Sequence, residues 1–173
     1  MSKNRNEVIL SAISFAARKH HGQMRKDNET PYVSHPFRVA ITISQIFGFH
    51  DPEIITAAVL HDTLEDTTTN FEDITKKFGR KIAQWVELFS KDDTMEESER
   101  ELVYMKQLAS SPREVKLIKL ADIHDNLLDA KKSGSKQFKK TLKKSEKYLS
   151  VLSKNPSPFL KSPLEIVRHL MKI

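Results

Sequence analysis

Residues 57–67 read AAVLHDTLEDT, an apolar run that ends in four ionisable side chains. The run continues a segment that opens with Asp51 and Pro52, a pair typical of a helix N-terminus because aspartate caps the helix and proline fits its first turn. That helix is apolar on nearly every side, which predicts a central place in the fold. His61 and Asp62 stand at its end, where burial without partners would cost several kcal/mol.

Two more carboxylates follow the His-Asp pair at helical spacing. If the helix continues, Glu65 lies one turn beyond His61, and Asp66 lies one turn beyond Asp62. Three carboxylates this close repel one another unless a cation or a shared proton lies between them. The alternatives are a satisfied histidine in the core and two solvated acids at a helix end. This stretch alone does not choose between them.

The remainder of the chain predicts an all-α fold. Only four glycines and seven prolines occur among 173 residues, and apolar positions recur mostly at spacings of three and four. We expect a single helical domain that spans residues 1–173, because no repeat and no long linker divides the chain. Asn70 is expected to cap a short helix. The sequence SPRE at 111–114 predicts a capping box in which Ser111 is the cap.

The composition favours an anionic partner. Lysine and arginine number 29 against 23 aspartates and glutamates, a formal charge of +6, which suits a nucleotide, a nucleic acid or a phosphorylated metabolite. The chain has no cysteine, so a disulfide scaffold, a cysteine nucleophile and a thiolate zinc site are excluded. We find no signal peptide and no apolar run of the roughly 20 residues that a membrane span needs, and therefore expect a cytoplasmic protein without a membrane partner. The oligomeric state stays open.

A lysine-rich segment, residues 131–147, has more than one interpretation. Such a stripe is usually a solvated helix face. A nucleic-acid surface is a second interpretation, but aromatic residues are not interleaved with the lysines as stacking platforms would require. Nucleic acid is therefore the least favoured of the anionic partners.

Two further positions carry groups of the metal-ligand type. Asp122 lies in KLIKLADIHDNL, where apolar neighbours make a charged group unusual unless it is paired. Asn126 lies four residues on, so a buried aspartate satisfied by that amide is the alternative. His35 stands directly before a proline at a helix start. Two histidines and two aspartates would together supply ligands that suit manganese, iron or zinc: His35, His61, Asp62 and Asp122.

These residues resemble the H…HD…D metal signature of the HD phosphohydrolase superfamily, whose members are helical metal-dependent enzymes. Three longer stretches, AARKHHGQMRKDNETPYVSHP, AAVLHDTLEDT and VKLIKLADIHDNL, resemble motifs of the guanosine tetraphosphate (ppGpp) hydrolase domain of RelA/SpoT proteins. In length and in its RKD…TPY loop the chain is most similar to the stand-alone hydrolases, of which the metazoan SpoT homologue is typical. The similarity covers roughly residues 8–130.

The resemblance implies a helical bundle with a metal site between helices. It also implies a Mn²⁺-dependent 3′-pyrophosphohydrolase that converts ppGpp to GDP and pyrophosphate. The motif positions imply these metal ligands: His35, His61, Asp62 and Asp122. They imply a catalytic acidic pair, Glu65 and Asp66, and substrate contacts from Arg25, Lys26 and Asn126. Related hydrolases place basic residues of the lysine-rich segment near the distal phosphates, which implies Lys140 and Lys144.

Two positions depart from the family pattern. Ile123 stands where the family usually has arginine or lysine, and Asp125 stands where RelA/SpoT proteins usually have histidine. Neither position is a metal ligand in the family, so the departures bear on substrate fit and not on hydrolysis. His124 is an additional imidazole, which we interpret as a surface or supporting group rather than a ligand.

The sequence leaves competing functions open. The same site could act on NADPH as a 2′-phosphatase or on ppApp, because the stand-alone relatives also resemble such enzymes. A catalytically silent nucleotide sensor is a different class, although all six metal and acidic positions are present, which argues against it. No synthetase domain follows in the sequence, so we expect a hydrolase without alarmone synthesis.

Overall fold

A computed structural model describes residues 5–91 and 94–172. Helices make up nearly all regular structure in these residues, which confirms the predicted all-α fold. An isolated antiparallel bridge joins Met24 and Pro31. Backbone contacts divide the chain into two compact units, Met1–Ser90 and Lys91–Ile173. The single domain over residues 1–173 stays a prediction.

The helices described in the first unit are α1 (Arg5–Lys19), α2 (Ser34–Ile41), α3 (Pro52–Leu60), α4 (Thr63–Asp66), α5 (Phe71–Phe78) and α6 (Arg80–Glu87), and a π-helical turn, Thr42–Ile46, continues α2. Those described in the second unit are α7 (Glu97–Ser110), α8 (Arg113–Lys132), α9 (Ser135–Leu152) and α10 (Pro158–Lys172). None of the described helices has the length and apolar character that a membrane crossing requires.

Helix α3 is the central helix of the first unit, as its apolar sequence predicts. It packs against α1, α2 and α6, and the side chains of Ala57 and Leu60 are fully buried. The predicted N-cap is present, because the Asp51 carboxylate accepts a hydrogen bond from the Glu53 N–H at 2.8 Å and Pro52 is the first helical residue. Burial of this helix fixes the position of the residues that follow it.

Helix α3 ends at Leu60, so it does not run unbroken into the acidic residues. The Thr63 hydroxyl donates to the Leu60 carbonyl at 2.7 Å, and α4 begins at Thr63. The Asp66 N–H still bonds the Asp62 carbonyl at 2.9 Å. One helical turn therefore separates Asp62 from Asp66, as the spacing predicts, although the helix is interrupted.

Helix α8 is buried on most of its faces within the second unit. It packs against α9 and α10, and its leucines at 117, 120 and 127 are fully buried. On α9, Leu149 and Leu152 are buried. The lysines of the opposite face of α9 are exposed: Lys136, Lys140, Lys143 and Lys147. For these four side chains the structure agrees with a solvated helix face.

The capping box predicted at residues 111–114 is wrong. The Ser111 hydroxyl donates to the Gln107 carbonyl at 2.7 Å, at the end of α7, and Glu114 pairs with Arg113 Nε at 3.0 Å. The last carbonyls of one helix need donors as much as the first N–H groups of the next need acceptors, and a serine between two helices can serve either end. Among the described residues, α8 begins without a side-chain hydrogen bond at its cap.

The predicted cap of α5 is present in both directions. The Asn70 side chain accepts from the Asp73 N–H at 2.9 Å, and the Asp73 carboxylate accepts from the Asn70 N–H at 3.3 Å. Helix α5 ends at Phe78, and the next residue, Gly79, has a φ of 92°, a conformation that favours glycine. The local sequence thus determines both ends of this helix.

Replacing the cap should lower stability by a small and defined amount. Asn70→Ala removes the acceptor for the Asp73 N–H and should lower the free energy of unfolding by about 1 kcal/mol. Asn70→Asp keeps an acceptor and adds a charge that the helix N-terminus favours, so its stability should stay close to that of the wild type. Urea unfolding followed by circular dichroism measures both. Equal stability of wild type and Asn70→Ala would show that the cap contributes nothing.

Candidate active site

Two histidines and an aspartate meet in the first unit, where α2 begins and α3 ends. Asp62 Oδ1 lies 3.0 Å from His61 Nε2, and Asp62 Oδ2 lies 3.5 Å from His35 Nε2. One potential ligand atom from each residue lies within 4.8 Å of the other two. Both histidines are buried, whereas 15% of the Asp62 side chain is exposed. Three of the predicted ligands are thus neighbours.

The tautomer of His61 suits a metal ligand. His61 Nδ1 lies 2.8 Å from the carbonyl oxygen of Ala58. Because a carbonyl only accepts, Nδ1 carries the proton, and the lone pair of the neutral ring is on Nε2, the atom nearest Asp62. The His61 ring also makes edge contacts with the rings of His35 and Phe89, whose centroids are 5.2 and 5.6 Å away, and these contacts help to fix its orientation. Such support of the second ring nitrogen is usual for metal-binding histidines.

This donor set fits a divalent transition metal. Imidazole nitrogens combined with carboxylate oxygens suit manganese, iron or zinc. The two histidine nitrogens lie 3.0 and 3.5 Å from an oxygen of Asp62. Two donor atoms at such a separation can each lie about 2.1 Å from one ion. The residues therefore match such an ion in both chemistry and spacing.

The Tyr32 hydroxyl joins Asp62 to Asp66, the predicted catalytic residue. Its oxygen lies 2.7 Å from Asp62 Oδ2 and 2.7 Å from Asp66 Oδ2. Burial, followed by the charges of the two carboxylates, raises the pKa of Tyr32, so the hydroxyl keeps its proton and acts as a donor. A phenol has one proton to donate, so the two carboxylates share it.

Asp66 is also held through its backbone. Gln23 Nε2 donates to the Asp66 carbonyl at 2.6 Å, and His20 Nδ1 lies 2.7 Å from Gln23 Oε1. His20 is buried, and its ring lies on that of Tyr32 with centroids 5.0 Å apart. Loss of solvent raises the pKa of the Asp66 carboxyl, the Tyr32 hydrogen bond lowers it and the Asp62 charge raises it, with a net increase. Glu65, its predicted catalytic partner, is exposed on α4.

Sequence reasoning missed Tyr32, Gln23 and His20. All three lie in AARKHHGQMRKDNETPYVSHP, for which the sequence indicates roles only at the basic pair and at His35. The available signal is the density of polar side chains directly before a predicted ligand. No helical period connects this loop with α4, so its contacts there do not follow from spacing.

A tight turn holds Arg25 against Tyr32. The guanidinium carbon lies 5.7 Å from the centre of the Tyr32 ring, and the Arg25 N–H donates to the Thr30 carbonyl at 2.7 Å. The Asp27 carboxylate accepts from the Thr30 N–H at 2.9 Å and from the Thr30 hydroxyl at 2.6 Å. Arg25 is partly buried, whereas Lys26 is exposed. Of the predicted basic pair Arg25 and Lys26, Arg25 is the residue for which the described part of the chain shows a contact with an aromatic ring.

Asp122 belongs to the second unit, where α8 buries it. Its Oδ2 lies 2.7 Å from Lys119 Nζ, and its Oδ1 accepts from Asn126 Nδ2 at 2.5 Å. The Asn126 contact agrees with the predicted shared helix face, whereas the contact with Lys119 is not among the sequence predictions. A carboxylate oxygen has more than one lone pair, so these bonds are compatible with metal binding and with a structural role. Metal binding by Asp122 and substrate binding by Asn126 stay predictions.

The two predicted substrate lysines of α9 differ in their surroundings. Lys140 is exposed. Lys144, one turn later, has its ammonium 5.8 Å from the centre of the Tyr148 ring, which Lys91 and Lys119 also approach, at 5.7 and 4.7 Å. Lys91, Lys119 and Lys144 form what we name the lysine cluster. Desolvation, followed by repulsion from Lys91, lowers the pKa of Lys144.

The residues that depart from the family pattern are buried. Ile123 and Asp125 are 3% and 2% exposed, and His124 between them is 7% exposed. The interpretation of His124 as a surface group is therefore wrong, because α8 is covered on this side as well. Burial lowers the pKa of His124, and the charge of Asp125 opposes that effect.

The HD domain family pattern matches residues 12–149. The guanosine-3′,5′-bis(diphosphate) 3′-pyrophosphohydrolase MESH1 of Xenopus tropicalis is 44% identical over 126 residues, which cover 72% of this chain and 70% of that protein. The chain belongs to the HD domain family, alongside the MESH1 proteins. Human MESH1 is 42% identical over 122 residues, which cover 70% of this chain and 68% of the human protein.

A solved structure shares the fold of this HD domain chain. It is a metazoan orthologue of SpoT that hydrolyses ppGpp and plays a role in starvation responses. The two structures superpose with a TM-score of 0.81 at 31% sequence identity, and the match covers 94% of each chain. The family comparison thus agrees with the helical architecture that the sequence predicts.

A double-mutant cycle tests the hydrogen bond between Tyr32 and Asp66. Tyr32→Phe should lower the free energy of unfolding of the metal-free protein by roughly 1.5–3 kcal/mol, because the hydroxyl serves charged acceptors. The effects of Tyr32→Phe and Asp66→Ala should not add in the double variant, since both remove the same bond. Urea unfolding in the presence of a chelator measures all four stabilities. Strictly additive losses would show that the two side chains do not interact.

The Asp27 turn should persist at neutral pH and weaken only in strong acid. Hydrogen bonds from the Thr30 hydroxyl and N–H lower the pKa of Asp27 from 3.8 to about 2. A lowered pKa means that the folded turn favours the ionised carboxylate, so this support is complete above pH 3.8 and is lost as the pH falls through about 2. The Thr30 amide proton, followed by NMR, should titrate with a midpoint below 3.8, and Asp27→Asn should abolish that titration. An unshifted midpoint would contradict the turn.

Proposed function

We propose that this chain is a metal-dependent hydrolase that removes the 3′-pyrophosphate of ppGpp, the alarmone of the stringent response. The products are GDP and pyrophosphate. The observation that carries the proposal is the donor set of His35, His61 and Asp62 in a chain 44% identical to an enzyme named for this reaction. We take the metal to be Mn²⁺ and Asp122 to be a further ligand. The absence of cysteine supports a cytoplasmic location.

The acidic pair, Glu65 and Asp66, transfers the proton of the attacking water. When bound, the divalent cation supplies Lewis-acid activation of the phosphoryl group and of water. Glu65 and Asp66 orient the water, accept its proton and return a proton to the leaving pyrophosphate. Tyr32 and Gln23 support this role, because they hold the Asp66 side chain and backbone at 2.7 and 2.6 Å before a substrate arrives.

The basic residues bind the nucleotide and its phosphates. Arg25 is a planar cation that can stack on a purine or bind phosphate through two hydrogen bonds, and Lys26 adds a point charge. Asn126 offers a donor and an acceptor to the substrate. Lys144 and Lys140 bind the distal phosphates. The lysine cluster supports this role for Lys144, because repulsion among neighbouring cations favours an anion beside them.

Substitution of the metal ligands should abolish turnover. His61→Gln and Asp62→Asn should each lower the rate of pyrophosphate release from ppGpp by at least about 100-fold, more than is typical when a residue supporting a ligand is changed. Bound manganese, measured by mass spectrometry of the purified protein, should fall in parallel. His50→Gln is the matched control, because His50 is an exposed histidine just before α3. It should keep both the rate and the metal.

Two results would contradict the proposal in different ways. Equal pyrophosphate release by wild type and Asp62→Asn, both loaded with manganese, would exclude the catalytic metal. Turnover of NADPH or ppApp without turnover of ppGpp would agree with the proposed active site but would contradict ppGpp as its substrate. All three nucleotides are therefore assayed side by side, with release of pyrophosphate and of phosphate measured separately.

A further inference from the structure

A carboxylate of the chain itself lies within the lysine cluster. Glu101 Oε1 of α7 lies 2.5 Å from Lys91 Nζ and 4.0 Å from Lys144 Nζ. The Tyr148 hydroxyl donates to Glu101 Oε2 at 2.9 Å. Two cations and a hydroxyl thus surround one carboxylate, and the same donors are those with which proteins bind phosphate oxygens.

These contacts are shielded from solvent. Only 12% of the Lys91 side chain and 25% of the Glu101 side chain are exposed, and Tyr148 is buried. Burial raises the pKa of Glu101, but the hydrogen bond and charge of Lys91 outweigh it, and the net shift is downward. Glu101 is therefore an anion at neutral pH.

The charges of the cluster are compensated unequally. Asp122 lies 2.7 Å from the ammonium of Lys119, and Glu101 lies 2.5 Å from that of Lys91. The nearest approach of Glu101 to Lys144 is 4.0 Å, and 57% of the Lys144 side chain is exposed. Lys144 is thus the member of the cluster that is most accessible to an anion from solution.

We propose that Glu101 limits the affinity of the lysine cluster for phosphate groups and thereby favours release of pyrophosphate. The inference rests on the proposed function, in which Lys144 contacts the distal phosphates. An arriving pyrophosphate meets the negative charge of Glu101 beside Lys144, and it must draw Lys91 and Tyr148 away from Glu101 to gain their contacts. Both effects weaken its binding relative to a cluster without the carboxylate.

Removal of the Glu101 charge should strengthen pyrophosphate binding. Glu101→Gln keeps the size of the side chain and an oxygen acceptor for Lys91. We expect the Kd of the 173-residue protein for inorganic pyrophosphate, measured by isothermal titration calorimetry, to fall by about tenfold, the effect of one charge a few ångströms away. Product inhibition by pyrophosphate should strengthen, and the KM for ppGpp should fall. The difference from wild type should shrink as salt is raised, because salt screens charge.

Two further variants make the test specific. Glu99→Gln removes the same charge from an exposed position of α7, and its pyrophosphate affinity should stay within about twofold of wild type. Glu101→Ala should bind pyrophosphate more tightly than wild type as well, and circular dichroism verifies that each variant is folded. Unchanged or weaker binding in both Glu101 variants, or equal strengthening by Glu99→Gln, would overturn the inference.

The test separates this inference from the proposed function. If wild type does not hydrolyse ppGpp, the proposed function fails. Tighter pyrophosphate binding by Glu101→Gln would still show that Glu101 limits the affinity of the lysine cluster for phosphate groups. If wild type hydrolyses ppGpp and the titrations show no strengthening, the inference about Glu101 fails alone.

Discussion

The hydrogen bond from His61 Nδ1 to the Ala58 carbonyl is the contact on which the chemistry of the first unit depends. The last carbonyls of any helix lack intrahelical partners. At the end of α3 the ring of His61 and the hydroxyl of Thr63 donate to two of them, at 2.8 and 2.7 Å. The same hydrogen bond therefore satisfies a carbonyl at the end of α3 and orients the ring of a candidate metal ligand. Because α3 is buried, the ring cannot turn without disturbing the core.

Local signals in the sequence predict much of this fold. Apolar composition predicts the central position of α3, and the caps at Asp51 and Asn70 follow from residue type because each acts within three positions of itself. The pairing of Asp122 with Asn126 follows from helical spacing. The role of Ser111 does not follow from residue type alone, because a serine between two helices can serve either one.

The contacts that the sequence did not predict join distant parts of the chain. Tyr32 reaches Asp66 across 34 positions, and Gln23 reaches it across 43. No periodicity encodes such distances, since they depend on how a loop lies against a helix end. Lys119 lies three positions before Asp122, so their spacing was visible. Lysines are mostly exposed, however, so that spacing alone does not indicate a buried ion pair.

The cation–π contact between Arg25 and Tyr32 links two properties of an enzyme, its nucleotide preference and its turnover. The same tyrosine carries the cation on its face and holds Asp66 with its hydroxyl, at 5.7 and 2.7 Å. A substitution that changes how the Arg25 loop contacts the nucleotide base will therefore also move Asp66, the proposed proton acceptor. Under the proposed function, selection on nucleotide preference and selection on turnover act on one shared element. Evolution of a new base preference in this scaffold would require compensating changes around Tyr32.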